Sequence, residues 1–395
     1  ALYGRQNISG DERSSTDLDF LPLSAVERVE LLTDGASSLY GTDAIAGVIN
    51  VITRNERQGF EVTTNIRLPD GMKGTSQSVD LSIGQGLLTR DGYSWAASLE
   101  VESREQLMGA DRPYASEGRQ YFEHQGKSYF VDGSSLTAFQ SGSPTLGAGL
   151  GATYGGHLWN ASYQGGRCPD RQVPAMGQPA CLYNPYPEFG LYPKTDIKRF
   201  YSKGSLYVGG STVIFAEVGY SEKNQYKNYS VWPTTYGVIG ASASSPGNGL
   251  ALANGFTPGR TYVMYRPTEL GTLARQYEDS NHRIVLGLKG EWDDWNYSGN
   301  LYQTQSNSSY GFDYALYSNA NVLTTDSRLY SLSSSNAATQ TLYQTLMSKK
   351  SFQKVENGKV QLQVLDFNTS RMLFDIDGEP VMLGFGAEWR RHHEI

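Results

Sequence analysis

The feature that most constrains this chain is an alternation of apolar and polar residues that restarts again and again. It begins after Thr53 and continues to the last residues. Val62, Thr64, Ile66 and Leu68 share one face of a run whose other face carries Glu61, Thr63, Asn65 and Arg67. The same period governs Ser78–Ile83, Tyr93–Glu102, Ile284–Trp292, Trp295–Leu301 and Val381–Arg390. A period of two is the signature of a β-strand with two unlike faces. It recurs about nine times, so the chain reads as all-β.

Apart from a short first hairpin near Pro69–Gly74, the connections between runs alternate in length. Leu87–Gly92, Gly209–Gly210, Asp293–Asp294 and Asp377–Pro380 are short. The stretches 104–196, 222–281 and 307–358 are long. Loops of that size are foreign to a compact soluble sandwich. Tight turns at one end and large loops at the other belong to a transmembrane β-barrel. Aromatic residues near the run ends (Tyr93, Trp95, Trp292, Trp295 and Trp389) suit the two membrane interfaces. On this reading Val79, Leu81, Ile83, Trp95, Leu99, Leu286, Leu288, Leu383 and Phe385 face lipid. Ser78, Asp80, Ser94, Ser98, Asn300 and Glu388 face the lumen.

Composition is compatible with that reading. Only 38% of the residues are hydrophobic, and no segment reaches the roughly 20 apolar residues of a membrane helix. Barrel strands average polar because every second side chain faces the lumen. The net charge of −7 argues against nucleic acid as a partner, since phosphate binding needs clustered Lys and Arg. Cys168 and Cys181 flank a Pro/Gly-rich stretch. They read as one disulfide in an oxidising compartment, the alternative being two free thiols. A zinc site would need a second Cys or His pair nearby.

The sequence carries no recognisable catalytic motif. The glycine-rich stretch 146–156 lacks the strand-to-helix context of a phosphate loop. His392 and His393 are adjacent, so on a strand they point to opposite faces. No carboxylate pair or triad stands out, and the chain is read as a non-enzyme with no cofactor and no metal site.

The segment ahead of the strands differs from them. Val26–Leu32 reads as a strand, Asp34-Gly35 as a turn, Ser37–Gly41 as a single helical turn, and Gly47–Thr53 as an apolar, β-branched strand. This unit is too small to fold alone and needs a surrounding wall. The whole stretch "LPLSAVERVELLTDGASSLYGTDAIAGVINVITR", Leu21 to Arg54, resembles the end of the plug domain of TonB-dependent outer-membrane receptors. Arg28, Asp34, Gly35, Tyr40, Gly41, Gly47 and Asn50 are the positions that carry the motif.

The resemblance implies a division at residues 1–54, the C-terminal part of a plug, and 55–395, the N-terminal part of a barrel. Such barrels have roughly 22 strands, so the chain is expected to be a piece of a longer receptor. It also implies a place in the bacterial outer membrane, the TonB energy-coupling complex as partner, and active import of a scarce or large nutrient. A passive pore, a surface-binding barrel and a secreted β-rich enzyme are the alternatives. Many siderophore receptors of the family carry Gly-Pro where this chain has Asp34-Gly35, so the resemblance does not imply iron. Arg28 is expected either to meet a barrel carboxylate or to be solvated. Tyr183, Tyr186, Tyr192 and Trp232, aromatics of the long loops, are the candidate substrate contacts, since stacking suits sugars and aryl groups; packing the loops together is their alternative role.

Overall fold

The computed structural model describes residues 20–32, 48–117, 119–132, 145–148, 158–160, 163, 165–168, 172–174, 179–229, 234–238, 252–253, 255, 261–265, 272–313, 352–376 and 379–394. Two strands, β1 (Val26–Leu32) and β2 (Val48–Thr53), pair antiparallel into a small sheet of their own. The motif positions Asp34, Gly35, Tyr40, Gly41 and Gly47, with the expected helical turn, lie outside the described residues.

The remaining long strands form one nine-stranded antiparallel sheet in strict chain order. They are β3 (Gly59–Arg67), β4 (Ser76–Gln85), β5 (Tyr93–Arg104), β6 (Lys194–Gly209), β7 (Thr212–Tyr229), β8 (Leu273–Trp292), β9 (Trp295–Asp313), β10 (Phe352–Ile376) and β11 (Glu379–Glu394). Each strand pairs with the next, as in an up-and-down barrel wall. No described helix is long and apolar enough to cross a membrane.

Turn chemistry fixes the register at the tight end. Asp293 and Asp294 both take positive φ, 48° and 63°, between Trp292 and Trp295. That is the conformation of a two-residue hairpin whose twist matches its strands, and Asp tolerates it better than most residues. The register then aligns two unlike rows. Trp95, Gly204, Ala216, Leu286, Leu301, Leu365 and Trp389 lie side by side on one face. One residue along, Ala96, Lys203, Glu217, Val285, Tyr302, Val364 and Arg390 share the other.

Burial runs opposite to that of a soluble sheet. Leu286 is 53% and Trp389 55% exposed, while Glu217 and Glu100 are each 9% exposed. Asp80, Ser82, Ser94 and Ser98 are buried. A continuous exposed apolar face of this size needs a non-aqueous surrounding. The parity read from the sequence holds on these strands: Val79, Ile83, Leu99, Leu288 and Phe385 are exposed, and Asp80, Ser94 and Ser98 are buried. Leu81, Leu383, Ser78 and Asn300 are half-buried. Glu388 is exposed because β11 is an edge strand, yet register places it opposite Asp366 on the polar face.

One expectation needs correction. The stretches 222–281 and 307–358 are not loops throughout. β7 continues to Tyr229, β8 begins at Leu273, β9 continues to Asp313 and β10 begins at Phe352. Beyond Tyr220 the outward positions turn polar (Glu222, Asn224), so the hydrophobic alternation stops while the backbone ladder goes on.

Candidate functional site

The polar face carries two sites along its height. The lower one is where the N-terminal unit sits. Phe20 is 1% exposed and lies over Gly219, where a Cβ would come within 2.5 Å of the ring. The Leu23 amide donates to Glu100 at 3.1 Å. The Tyr201 hydroxyl donates to Thr53 Oγ1 at 3.0 Å, and Arg57 reaches the Ser24 carbonyl at 3.4 Å. These contacts tie the segments on either side of the β1–β2 sheet to the wall.

Two carboxylate clusters beside this seat are paired with cations, which offsets the cost of burying them. Arg199 meets Glu100 at 3.1 Å and Glu102 at 3.2 Å. Glu217 meets Lys203 at 2.9 Å and Arg283 at 3.8 Å. Arg28 does not engage this wall. It is exposed, and pairs with Glu30 at 2.8 Å and Glu27 at 2.9 Å beside it on β1. Alternate residues of a strand share a face, so Glu30 is well placed to take a guanidinium before any wall carboxylate can. Asn50 stands opposite Glu30 and donates to it at 3.3 Å. Below, a cavity of about 450 Å³ separates β2's exit from the wall and is lined by Glu27, Arg54, Glu56, Lys203, Phe215 and Lys289 among others.

The upper site is built where the strands outrun the apolar band. Register brings Lys227, Arg275 and Phe312 into one row, and Tyr277 and Tyr310 into the next row on the same face. The Tyr277 and Tyr310 rings stack at 5.1 Å, and Tyr310 lies 5.9 Å from Phe312. The Arg275 guanidinium is 4.5 Å from the Tyr229 ring centre and 5.6 Å from that of Tyr310. The Lys227 ammonium lies 5.2 Å over Tyr229. Burial foremost, then neighbouring Tyr277, pushes the Tyr229 phenol up to about 12. The phenol is therefore neutral across the physiological range and acts as a ring and hydrogen-bonding group.

A folded loop completes this cluster. Cys168 and Cys181 are joined by a disulfide with Cα atoms 5.7 Å apart. Tyr183 is buried and its hydroxyl donates to Glu188. Asn184 donates to the Ser116 carbonyl at 2.7 Å and accepts from the Tyr186 amide at 3.1 Å. The Gly109 amide donates to the Phe189 carbonyl at 2.8 Å. The outcome is that Phe189 meets Tyr229 edge-on at 6.2 Å, with Tyr186 behind it at 6.1 Å.

Of the aromatics singled out in the sequence, the structure brings Tyr186 to the edge of the cluster. Tyr183 is a packing residue within the loop, Tyr192 is exposed, and Trp232 lies outside the described residues. Tyr229, Arg275, Tyr277, Tyr310 and Phe312 were not singled out. Their spacing of two on paired strands (275 and 277, 310 and 312) was the signal available.

Comparison with known proteins bears on the lower site. The profile of the TonB-dependent Receptor Plug Domain matches residues 4–48. The vitamin B12 transporter BtuB of Vibrio cholerae serotype O1 is 32% identical over 93 residues. The chain belongs to the TonB-dependent receptor family. The BtuB match covers 23% of this receptor chain and 14% of the relative, so the aligned part is a small share of the curated relatives' length. Among solved structures, the ferric enterobactin receptor PfeA of Pseudomonas aeruginosa aligns over 98% of this chain and 39% of its own, with 12% identity and a TM-score of 0.49. The siderophore receptor PiuA of Acinetobacter baumannii aligns over 97% and 52%, with 13% identity and a TM-score of 0.35. The β-sheet wall and the plug match together give the architecture: antiparallel barrel strands preceded by plug sequence.

Proposed function

We propose that the intact receptor is an outer-membrane active transporter. It captures a scarce or large substrate at the cell surface and passes it to the periplasm with energy from the TonB complex. Residues 1–54 serve as the end of the plug and residues 55–395 as the first part of the barrel that holds it. The carrying observation is the seat itself: Phe20 over Gly219, Leu23 on Glu100 and Thr53 on Tyr201 fasten plug sequence to the polar face. A fastened plug closes the lumen to free diffusion, so transport requires work done on it. The upper cluster supplies the substrate contacts, with Tyr186 at its edge. BtuB is named for vitamin B12, and PfeA is described bound to enterobactin, so the relatives span dissimilar cargoes.

The deciding measurement is uptake in matched cells with and without a working energy-coupling complex. Candidate nutrients are screened by growth first. The proposal expects uptake to collapse without coupling while surface binding persists. Equal uptake in both strains overturns it and leaves a passive pore or a surface-binding barrel.

A further inference from the structure

The upper cluster holds two cations, and on the same face Asp279 stands one register row beyond Tyr277. Arg199, Arg283 and Arg57 each have a carboxylate within 4 Å, as buried or half-buried guanidinium groups generally do. Arg275 has none among the described residues, and neither has Lys227 beside it in the register. Their contacts are with ring faces and, for Arg275, with the Tyr277 hydroxyl, which favour a cation without neutralising it. The Arg275 Nε is buried and has no hydrogen-bond partner among the described residues. A guanidinium is a planar fork of donors suited to two oxygens of one oxyanion.

We propose that Arg275 and Lys227 recognise an oxyanion, carboxylate or phosphate, on a substrate whose aromatic body packs against Tyr277 and Phe312. The proposal rests on the reading of this face as the substrate entrance. It adds the chemistry that would be selected there. The rings form a half-buried apolar wall next to the charge, so a ligand can satisfy both with one rigid group. A bare inorganic anion would use only the charge.

The test uses the intact receptor purified in detergent, without energy coupling, and three probes: benzoate, phenyl phosphate and neutral benzyl alcohol. Binding is read by ligand-observed NMR. The two anions should bind at least about tenfold more tightly than the alcohol, the factor of one charge-assisted hydrogen bond. Arg275→Gln should abolish that preference, and Arg275→Lys should keep a reduced one. Lys227→Gln, read independently, should weaken both anions and leave the alcohol unchanged. Each variant is scored on protein whose heat-modified gel mobility shows a closed barrel, and Lys227→Gln decides where Arg275→Gln does not fold. Which anion binds more tightly separates carboxylate from phosphate. An alcohol bound as tightly as the anions, a preference surviving in the folded variants, or no binding by any probe overturns the assignment. Because no uptake is measured, the result stands apart from the test of energy coupling.

Discussion

Gly219 shows how a single absent atom can decide the plug's position. The Phe20 ring occupies the space a Cβ would need, with Cζ at 2.5 Å from that point. Gly219→Ala must therefore push the ring off the wall, and overpacking of this kind costs about 1–3 kcal/mol. The expected result is a barrel of normal heat stability whose plug is cut faster by protease. Protection equal to wild type would show that Phe20 is not an anchor. Nothing in the sequence marked Gly219, since glycine on a lumen-facing position is unremarkable until the residue above it is known. Arg28 carried a stronger signal as part of the plug motif, but its pairing with Glu30 and Glu27 was decided by distance along one strand. The upper cluster was hidden for a different reason. Arg275 and Tyr310 fall in stretches that lose their apolar alternation and so resemble loops.

Elements obey the same logic of local chemistry. The turn between β4 and β5 is a single helical turn, Leu88–Asp91, ended by Gly92 at φ 74°. Asp91 accepts from Arg90 and from the Leu87 amide at 2.9 Å. Arg90, then that amide, lowers the Asp91 carboxyl to about 2. A depressed carboxylate stabilises the folded turn above its ordinary value near 4 and loses that contribution as pH falls toward about 2. Wild type should therefore exceed Asp91→Asn in thermal midpoint at neutral pH, with the gap closing across that window. A gap unchanged at pH 2 would assign the effect to shape instead of charge. In the large loop, replacing both Cys168 and Cys181 by Ser releases a closure spanning 13 residues. That should cost the loop roughly 3 kcal/mol. Proteolysis of the Gln172–Tyr183 hairpin is the readout, and unchanged resistance would show that Tyr183–Glu188 and Asn184–Ser116 hold it unaided.

At the scale of the whole molecule, the sheet is explained by the solvent on its outer face. The strand order and parity were legible because period-two patterning is a direct record of two unlike environments, and each register row keeps it across strands. The height to which the strands climb was not, because above the apolar band both faces meet water and the pattern has nothing to record. This gives a test with a depth axis. Leu286 lies mid-band in the row of Leu301 and Leu365, whereas Trp292 lies beside the Asp293–Asp294 turn. Arginine on a barrel's lipid face costs about 2–4 kcal/mol at the bilayer midplane and about 0–1 near its edge. Leu286→Arg should thus destabilise the receptor in lipid vesicles by that larger amount, and Trp292→Arg by the smaller, apart from any lost ring packing. In vesicles, urea titrations followed by tryptophan fluorescence measure both. Equal costs, or a negligible one at Leu286, would mean that this face meets protein or water instead of lipid, and would remove the physical reason for its inverted burial.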